Sequence, residues 1–387
     1  MSELISKDAL FVANTYNRFP VEIVKGKGSI AIDANGKKYI DLGTGIGVTA
    51  FGYCDKPWVK AVKEQLKKVQ HTSNLYYTEP CVTLAEKLCG ITGMKKVFFS
   101  NSGAEANECA IKVCRKYAEE KKGAEYNTVI TLKNSFHGRT ITTLAATGQD
   151  VFHKHFTPLT EGFDYAIAND IESVKKAVEN NKVAGIMIEC VQGEGGVLPL
   201  DKEFVLAVKD ICEKEDIILI VDEVQTGNGR TGKEYAYMHF GILPDVITTA
   251  KGLGGGLPIG ACLMSGKVQS VLSFGDHGST FGGNPVACAG AISIIDRLNK
   301  ILPEVNKKSE FVFETLKNAE GIETVSGKGL MIGIKTVKPA KEVVLECMKR
   351  GVLCLMAKDK VRLLPALNIP FDTLKKAVEI IKEVCKD

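Results

Sequence analysis

The chain has 387 residues, 45% apolar and 25% charged, with a formal net charge of +4. That balance fits a globular protein with a full core and room for two or three domains, or one large domain with a satellite. No basic block interleaved with aromatics points to nucleic acid, and no apolar run reaches the roughly 18 residues of a membrane span.

Met1 to Asp8 carries no basic region followed by an apolar stretch, so no secretory leader is expected. Twelve cysteines are scattered without a CxxC pair or a Cys/His cluster of ligand spacing. They predict a reducing, cytoplasmic setting with no disulfide framework and no metal site.

In chain order, Val21 to Val24, Ser29 to Asp33 and Lys38 to Leu42 read as a small meander, with the turn Asn35-Gly36 between the last two. Val97-Phe98-Phe99 is a short strand, and residues 104–122 read as a helix. Val129 to Leu132 and Ile186 to Ile188 are further strands. A helix near 203–214 places Phe204, Val208 and Ile211 on one face. Ile217 to Val221 is wholly Ile, Leu and Val; Val246 to Ala250 follows, and Ala261 to Met264 is placed antiparallel beside it. Continuous apolar strands alternating with helices predict an α/β fold, with a mostly parallel sheet covered on both faces.

From about 286 the pattern changes to a long helix and then short strands at Ile322–Val325, Met331–Ile334 and Val361–Leu364. The expected division is 1–60 as an N-terminal segment joining a small α+β domain, 61–285 as the large domain, and 286–387 as the small domain.

Ligands of such sheets bind beyond the carboxyl ends of the strands, so the residues there are read together. Lys251 ends the run Val246 to Ala250 and precedes a glycine-rich loop. A desolvated lysine amine is a nucleophile toward carbonyl compounds, whereas a surface lysine at a strand end is inert. Asp222 ends an apolar strand; its carboxylate meets either a cationic partner or local backbone N–H groups. Ser102-Gly103-Ala104-Glu105 fits a capping box, and the helix it opens is either simply capped or ready for a phosphate. Phe136 is either core or a platform for a flat ring. Arg139 and Arg362 are candidate carboxylate clamps, Arg362 the more notable because it interrupts the apolar strand Val361 to Leu364. Gly227 to Gly232 matches G-x-G-x-x-G but neither directly follows a strand nor clearly opens a helix, so a dinucleotide site is not expected.

Together these stretches resemble the class III (ornithine/acetylornithine type) aminotransferases, fold-type I enzymes that use pyridoxal 5'-phosphate. The resemblance runs through Ser100 to Asn107, Ser135 to Thr140, Gln192 to Gly196, Asp222 to Gly227, Ala250-Lys251-Gly252 and Gly278 to Pro285. The compact length, Ser73 to Pro80 and Leu364 to Pro370 look most like the acetylornithine branch. The resemblance implies a large domain with a mostly parallel seven-stranded sheet plus a smaller α+β domain.

It also implies roles. Lys251 would carry the cofactor and, once freed, move the proton; Asp222 would keep the pyridine nitrogen protonated. Phe136 would stack on the ring and Gln225 would bond its phenolic oxygen. Ser102, Gly103 and Ala104 would bind the phosphate, joined by Thr280 from the partner of a homodimer with shared active sites. Arg139 would bind the distal carboxylate of each substrate. Arg362 would bind the carboxylate beside the reacting carbon of glutamate, and Glu194 would neutralise it when the donor enters. Ser279 and Tyr16 complete the implied substrate set.

The implied reaction moves the side-chain amino group of N2-acetyl-L-ornithine to 2-oxoglutarate. Ornithine, succinylornithine, N-succinyl-diaminopimelate and 4-aminobutyrate are alternative donors that share the cofactor residues. An aminomutase would not need the Glu194–Arg362 switch, and a non-enzymatic binding protein on this fold would be expected to lose Lys251 or Asp222. Three positions depart from common family patterns: Tyr53, Cys190 and Asn228.

Overall fold

The computed structural model describes residues 3–386. Its centre is built from the most apolar runs of the sequence. Val183–Ile188, Ile218–Asp222 and Val246–Thr249 are buried at every residue, as strands covered on both faces must be. They belong to a seven-stranded sheet in the order Lys96–Ser100, Gly260–Met264, Val246–Thr249, Ile218–Asp222, Val183–Ile188, Thr128–Leu132, Phe163–Ala166. Only Gly260–Met264 runs against its neighbours, pairing Thr249 with Ala261 on one side and Gly260 with Ser100 on the other. The antiparallel placement expected for this strand is therefore observed.

The period-2 geometry of a strand divides its side chains between two faces. Ile218 and Ile220 pack with Cys109, Ala110 and Val113 of the helix Gly103–Lys122. Leu219 and Val221 belong to the core that includes Phe204, Val205 and Val208 of the helix Lys202–Lys214. The edge strand Phe163–Ala166 escapes the sequence pattern. Three of its four residues are half-buried and one is Asp164, so it lacks the apolar density of the central strands.

A second sheet is antiparallel: Ile322–Lys328, Met331–Thr336, Lys360–Leu363, Leu355–Ala357. The N-terminal strands Ile23–Lys27, Ile30–Asp33 and Lys38–Asp41 form the meander read from the sequence. Its turn is closed by Asp33 Oδ1, which accepts from the N–H groups of Asn35 and Lys37, both at 2.9 Å. Gly36 supplies the positive φ of 81° there. A fourth strand, Val352–Leu353, lies parallel to Lys38–Asp41, so both ends of the chain meet in one sheet.

The single long helix expected from residue 286 is two helices, Pro285–Ile295 and Leu298–Leu316. The break falls at Arg297, whose guanidinium reaches Asp55 at 2.7 Å and covers the Phe51 ring at 4.0 Å. None of the helices is long and apolar enough to cross a membrane among the described residues.

Candidate active site

The carboxyl ends of the central strands open on a cavity of about 430 Å³. Ser102, Gly103, Ala104, Phe136, Arg139, Asp222, Gln225 and Lys251 all line it. Residues scattered over 150 positions are collected because every parallel strand delivers its C-terminal residue to the same edge.

Lys251 begins a short 3₁₀ turn, Lys251–Leu253, directly after the strand. Its φ of 43° is left-handed, an uncommon conformation for a side chain with a Cβ. Asn228 secures the approach: its Nδ2 donates to Thr249 Oγ1 at 2.9 Å and to the Ala250 carbonyl at 3.3 Å. Asn228 itself takes φ 57°, which asparagine tolerates better than an apolar side chain does. Burial pushes the Lys251 amine below its ordinary pKa, against the pull of Asp222, Glu194 and Glu189. The shift is in the direction that a nucleophilic amine requires.

Asp222 is buried at the cavity floor. Its Oδ2 accepts from Asn107 Nδ2 and from His137 Nδ1, both at 2.8 Å, and its Oδ1 accepts from the Val224 N–H at 2.9 Å. Burial works against a charged His137, but the hydrogen bond and charge of Asp222, with Glu189 behind, raise its pKa. Glu189 directly follows the neighbouring strand Val183–Ile188, as Asp222 closes its own. It accepts from the Phe136 N–H at 3.0 Å, and burial pushes its pKa up to about 7.

Phe136 presents a half-buried ring to the cavity and meets Phe152 edge-on at 5.5 Å. The exposed Arg139 guanidinium lies over both rings, 5.9 and 5.3 Å from their centres. Across the cavity, Ser102 caps the helix Gly103–Lys122 by accepting from the Glu105 N–H at 3.2 Å. The return bond of the expected capping box is shifted by one residue: Glu105 Oε2 accepts from Asn101 N at 2.6 Å. A Cβ on Gly103 would lie 2.6 Å from Val224 Cγ1, so only glycine lets the helix end approach the loop after Asp222.

Behind Lys251, Arg362 is 2% exposed and bonds Glu194 Oε1 at 2.5 Å. The same Nη1 donates to Gln225 Oε1 at 3.2 Å and to the Gly193 carbonyl at 3.3 Å. Gln225 in turn donates to Glu194 at 3.3 Å. Burial alone would raise the Glu194 pKa; pairing with Arg362 outweighs it and holds the carboxyl below its ordinary value.

Five expected residues are not part of the cavity wall: Arg362 and Glu194, which touch it through Gln225, and Ser279, Thr280 and Tyr16. Ser279 Oγ accepts from Asn101 Nδ2 at 3.2 Å, one residue removed from the wall. Thr280 lies on a different surface, near Asn74, Tyr76 and Tyr77. Tyr16 is 65% exposed under Arg18, in a groove with Phe19 and Leu355.

Sequence reasoning assigned no role to Asn107, His137, Glu189 or Val224, all of which line the cavity. A carboxylate ending an all-apolar strand was the signal for Asp222, and the same signal marks Glu189. Asn107 is an amide among Ala106, Cys109, Ala110 and Ile111 on a buried helix face, which is a weaker mark. The G-x-G-x-x-G stretch is a series of turns in which Gly229 approaches Leu367 and Leu298, and Gly232 approaches Asn306. It opens no α-helix. Cys190 is simply buried in the core, and Tyr53 packs over Gly26. All twelve cysteines are free, and the described residues hold no cluster suited to a metal ion.

The donor set fits pyridoxal phosphate. A buried carboxylate awaits a protonated ring nitrogen, an aromatic face awaits a flat ring, and an amine with a depressed pKa awaits an aldehyde. The helix start at Ser102, Gly103 and Ala104 borders the same cavity, and its first-turn N–H groups, which have no partner within the helix, suit a phosphate.

Comparison with known proteins agrees. Residues 11–385 match the family model described as aminotransferase class-III. The chain is 49% identical over 383 residues to an acetylornithine aminotransferase of Haemophilus ducreyi, covering 98% of both chains. It is 44% identical to one of Methanocaldococcus jannaschii, covering 95% of this chain and 94% of that protein. Among solved structures, an N-acetylornithine aminotransferase of Stenotrophomonas maltophilia aligns with a TM-score of 0.85 at 32% identity, covering 98% of each chain. The ornithine aminotransferase of Toxoplasma gondii aligns at 0.95 and 29% identity, covering 99% of this chain and 94% of that one. The chain therefore belongs to the class III aminotransferases and is a pyridoxal-phosphate-dependent transaminase.

Proposed function

We propose that the chain transfers the side-chain amino group of N2-acetyl-L-ornithine to 2-oxoglutarate, giving N-acetyl-L-glutamate 5-semialdehyde and L-glutamate, in arginine biosynthesis. The observation that carries this reading is the buried Arg362 neutralised by Glu194 at 2.5 Å. The donor reacts at an amine with no carboxylate beside it, while glutamate reacts beside one. A guanidinium that an internal carboxylate can neutralise serves both. The names of the relatives at 40–49% identity support the choice of donor.

What pyridoxal phosphate supplies when bound is a carbon that carries the amino group and a ring that accepts the electrons of the deprotonated substrate carbon. Lys251 would hold it, and its amine, once freed, would move the proton between the substrate carbon and the far end of the transfer. Asp222 would face the ring nitrogen and favour its protonated form. Phe136 would stack on the ring, Gln225 would bond its phenolic oxygen, and Ser102, Gly103 and Ala104 would bind the phosphate. Arg139 binds the carboxylate far from the reacting carbon in both substrates. Ser279 and Tyr16 complete the donor pocket.

The functional unit in this reading is a homodimer. Thr280, away from this chain's own cavity, reaches the phosphate of the partner's site. A fully active monomer in light scattering with simultaneous assay would overturn that. We assign residues 61–285 to the cofactor domain, and 1–60 with 286–387 to the small domain. Twelve free cysteines support a cytoplasmic setting.

The test is a panel of amine donors against 2-oxoglutarate. N2-acetylornithine is expected to have the highest kcat/KM. A higher value for ornithine, succinylornithine, N-succinyl-diaminopimelate or 4-aminobutyrate reassigns the donor.

A further inference from the structure

We propose that Asn107 is a positioning residue that locks the Asp222 carboxylate to the loop carrying Phe136, and so fixes the cofactor's ring between the two. This rests on Asp222 meeting the ring nitrogen, as proposed above.

Asn107 lies on the first turns of the helix Gly103–Lys122, whose start faces the phosphate region. Its amide nitrogen donates both hydrogens to buried acceptors: the His137 carbonyl at 2.7 Å and Asp222 Oδ2 at 2.8 Å. The first acceptor belongs to the His137–Gly138 peptide, just beyond Phe136, and the second to the end of another strand. One side chain thus joins three elements, namely the helix, the loop and the strand.

The orientation of the amide is decided by its neighbours. Flipping it would set its oxygen against a carbonyl and a carboxylate, so the nitrogen must face them. The cost is visible on the other side, where buried Oδ1 has no hydrogen-bond partner. A buried unsatisfied oxygen is destabilising, which makes a purely structural use of asparagine here a poor one. An isosteric leucine would fill the space without that cost, but it would donate nothing to Asp222.

The donation has a specific effect on the carboxylate. With Asn107 and His137 both on Oδ2 and the Val224 N–H on Oδ1, Asp222 cannot rotate without losing a bond. The charged and titratable groups around it are His137, Glu189, Glu223 and Lys251, of which only His137 bonds it directly. Removing Asn107 leaves His137 as the sole side-chain donor to Asp222 and frees the His137–Gly138 peptide from the strand end.

The experiment compares Asn107→Leu, Asp222→Asn and the double variant. It reads the dissociation constant of pyridoxal phosphate from apoenzyme by equilibrium dialysis, and the pH titration of the visible band in the holoenzyme. Asn107→Leu is expected to weaken cofactor binding about tenfold or more, as loss of a hydrogen bond to a charged group does. It should also move the band's titration to higher pH, because a less firmly protonated ring removes positive charge near the Lys251 nitrogen. In the Asp222→Asn background the same substitution should add less than about threefold, since partners in one network are not additive.

A folded Asn107→Leu with wild-type binding and titration overturns the proposal, and so does full additivity with Asp222→Asn. Should Asn107→Leu not fold, Asn107→Ser, which keeps one donor, gives the same readouts with a smaller shift. If Asp222→Asn itself leaves binding and titration unchanged, it is the role of Asp222 that fails, a result separable from failure of Asn107 alone.

Discussion

Replacing Glu194 by glutamine tests the switch while conserving shape. Arg362 would keep Gln225 Oε1 and the Gly193 carbonyl but lose its anionic partner at 2.5 Å. Hydrogen bonds to charged groups contribute about 1.5–3 kcal/mol and neutral ones about 0.5–1.5, so the change is worth about 1–1.5 kcal/mol, near tenfold. Glu194 is 27% exposed on its side chain, which keeps the figure at the modest end of a buried pair. The two half-reactions should respond in opposite directions. An incoming 2-oxoglutarate no longer has to displace Glu194, so its apparent affinity should rise toward tenfold. The acetylornithine half-reaction leaves a buried guanidinium uncompensated, so its kcat/KM should fall by about the same factor. Stopped-flow absorbance of each half-reaction, run separately, measures both. Equal changes in the two, or none, would refute the switch. Because pairing holds the Glu194 pKa below its ordinary value, the ion pair is intact above the usual carboxylate range. It is lost only as pH falls through the lowered pKa, so Glu194 titration should leave no signature between pH 6 and 8 in the wild type.

Lys251→Ala should remove the visible band of the bound cofactor and lower turnover by at least about 10²-fold, the usual scale for a lost proton-transfer group. Retained steady-state transamination would contradict its role. Gly103→Ala places a Cβ 2.6 Å from Val224, and cofactor affinity should fall about tenfold, measured by dialysis. Adding Val224→Ala should restore most of it; no recovery would show that the contact is not the cause. Glu223 is pushed up to about 7 by burial, away from the cavity, against bonds from Thr226 and Tyr237. Its folded pKa lies above the unfolded 4.5, so the folded state retains the proton longer. Stability should be fullest below that unfolded value and decline as pH rises toward 7. Glu223→Gln should flatten this slope in thermal melts at pH 5 to 8, and an unchanged slope would exonerate the residue.

The readable parts of this molecule were those in which local composition and tertiary placement agree. Ile218–Asp222 is buried on both faces, so its apolar run and its terminal acid both stand out. Lys251 stood out for the same reason, and sheet topology supplied its company. Phe163–Ala166 was illegible because an edge strand needs no apolar density. The break falls at Arg297, whose partner Asp55 is more than 240 residues away, and no helical period reports it. Asn107 was missed because its meaning lies in two acceptors on other elements. Thr280 and Tyr16 were chosen by resemblance alone, and neither reaches the cavity within one chain.

The reversed strand Gly260–Met264 has a consequence for how this pocket can change. Because that strand starts where Val246–Thr249 ends, the chain from Lys251 to Ile259 never leaves the carboxyl edge of the sheet. Gly256 to Ile259 wall the same cavity into which Lys251 opens. The reactive amine and one wall are thus a single short excursion, anchored at both ends by neighbouring strands. Residues inserted or removed between them would reshape the space around the amine while the sheet, the acid and the helix Gly103–Lys122 stay where they are. Divergence in pocket width can occur in this loop without renegotiating the fold.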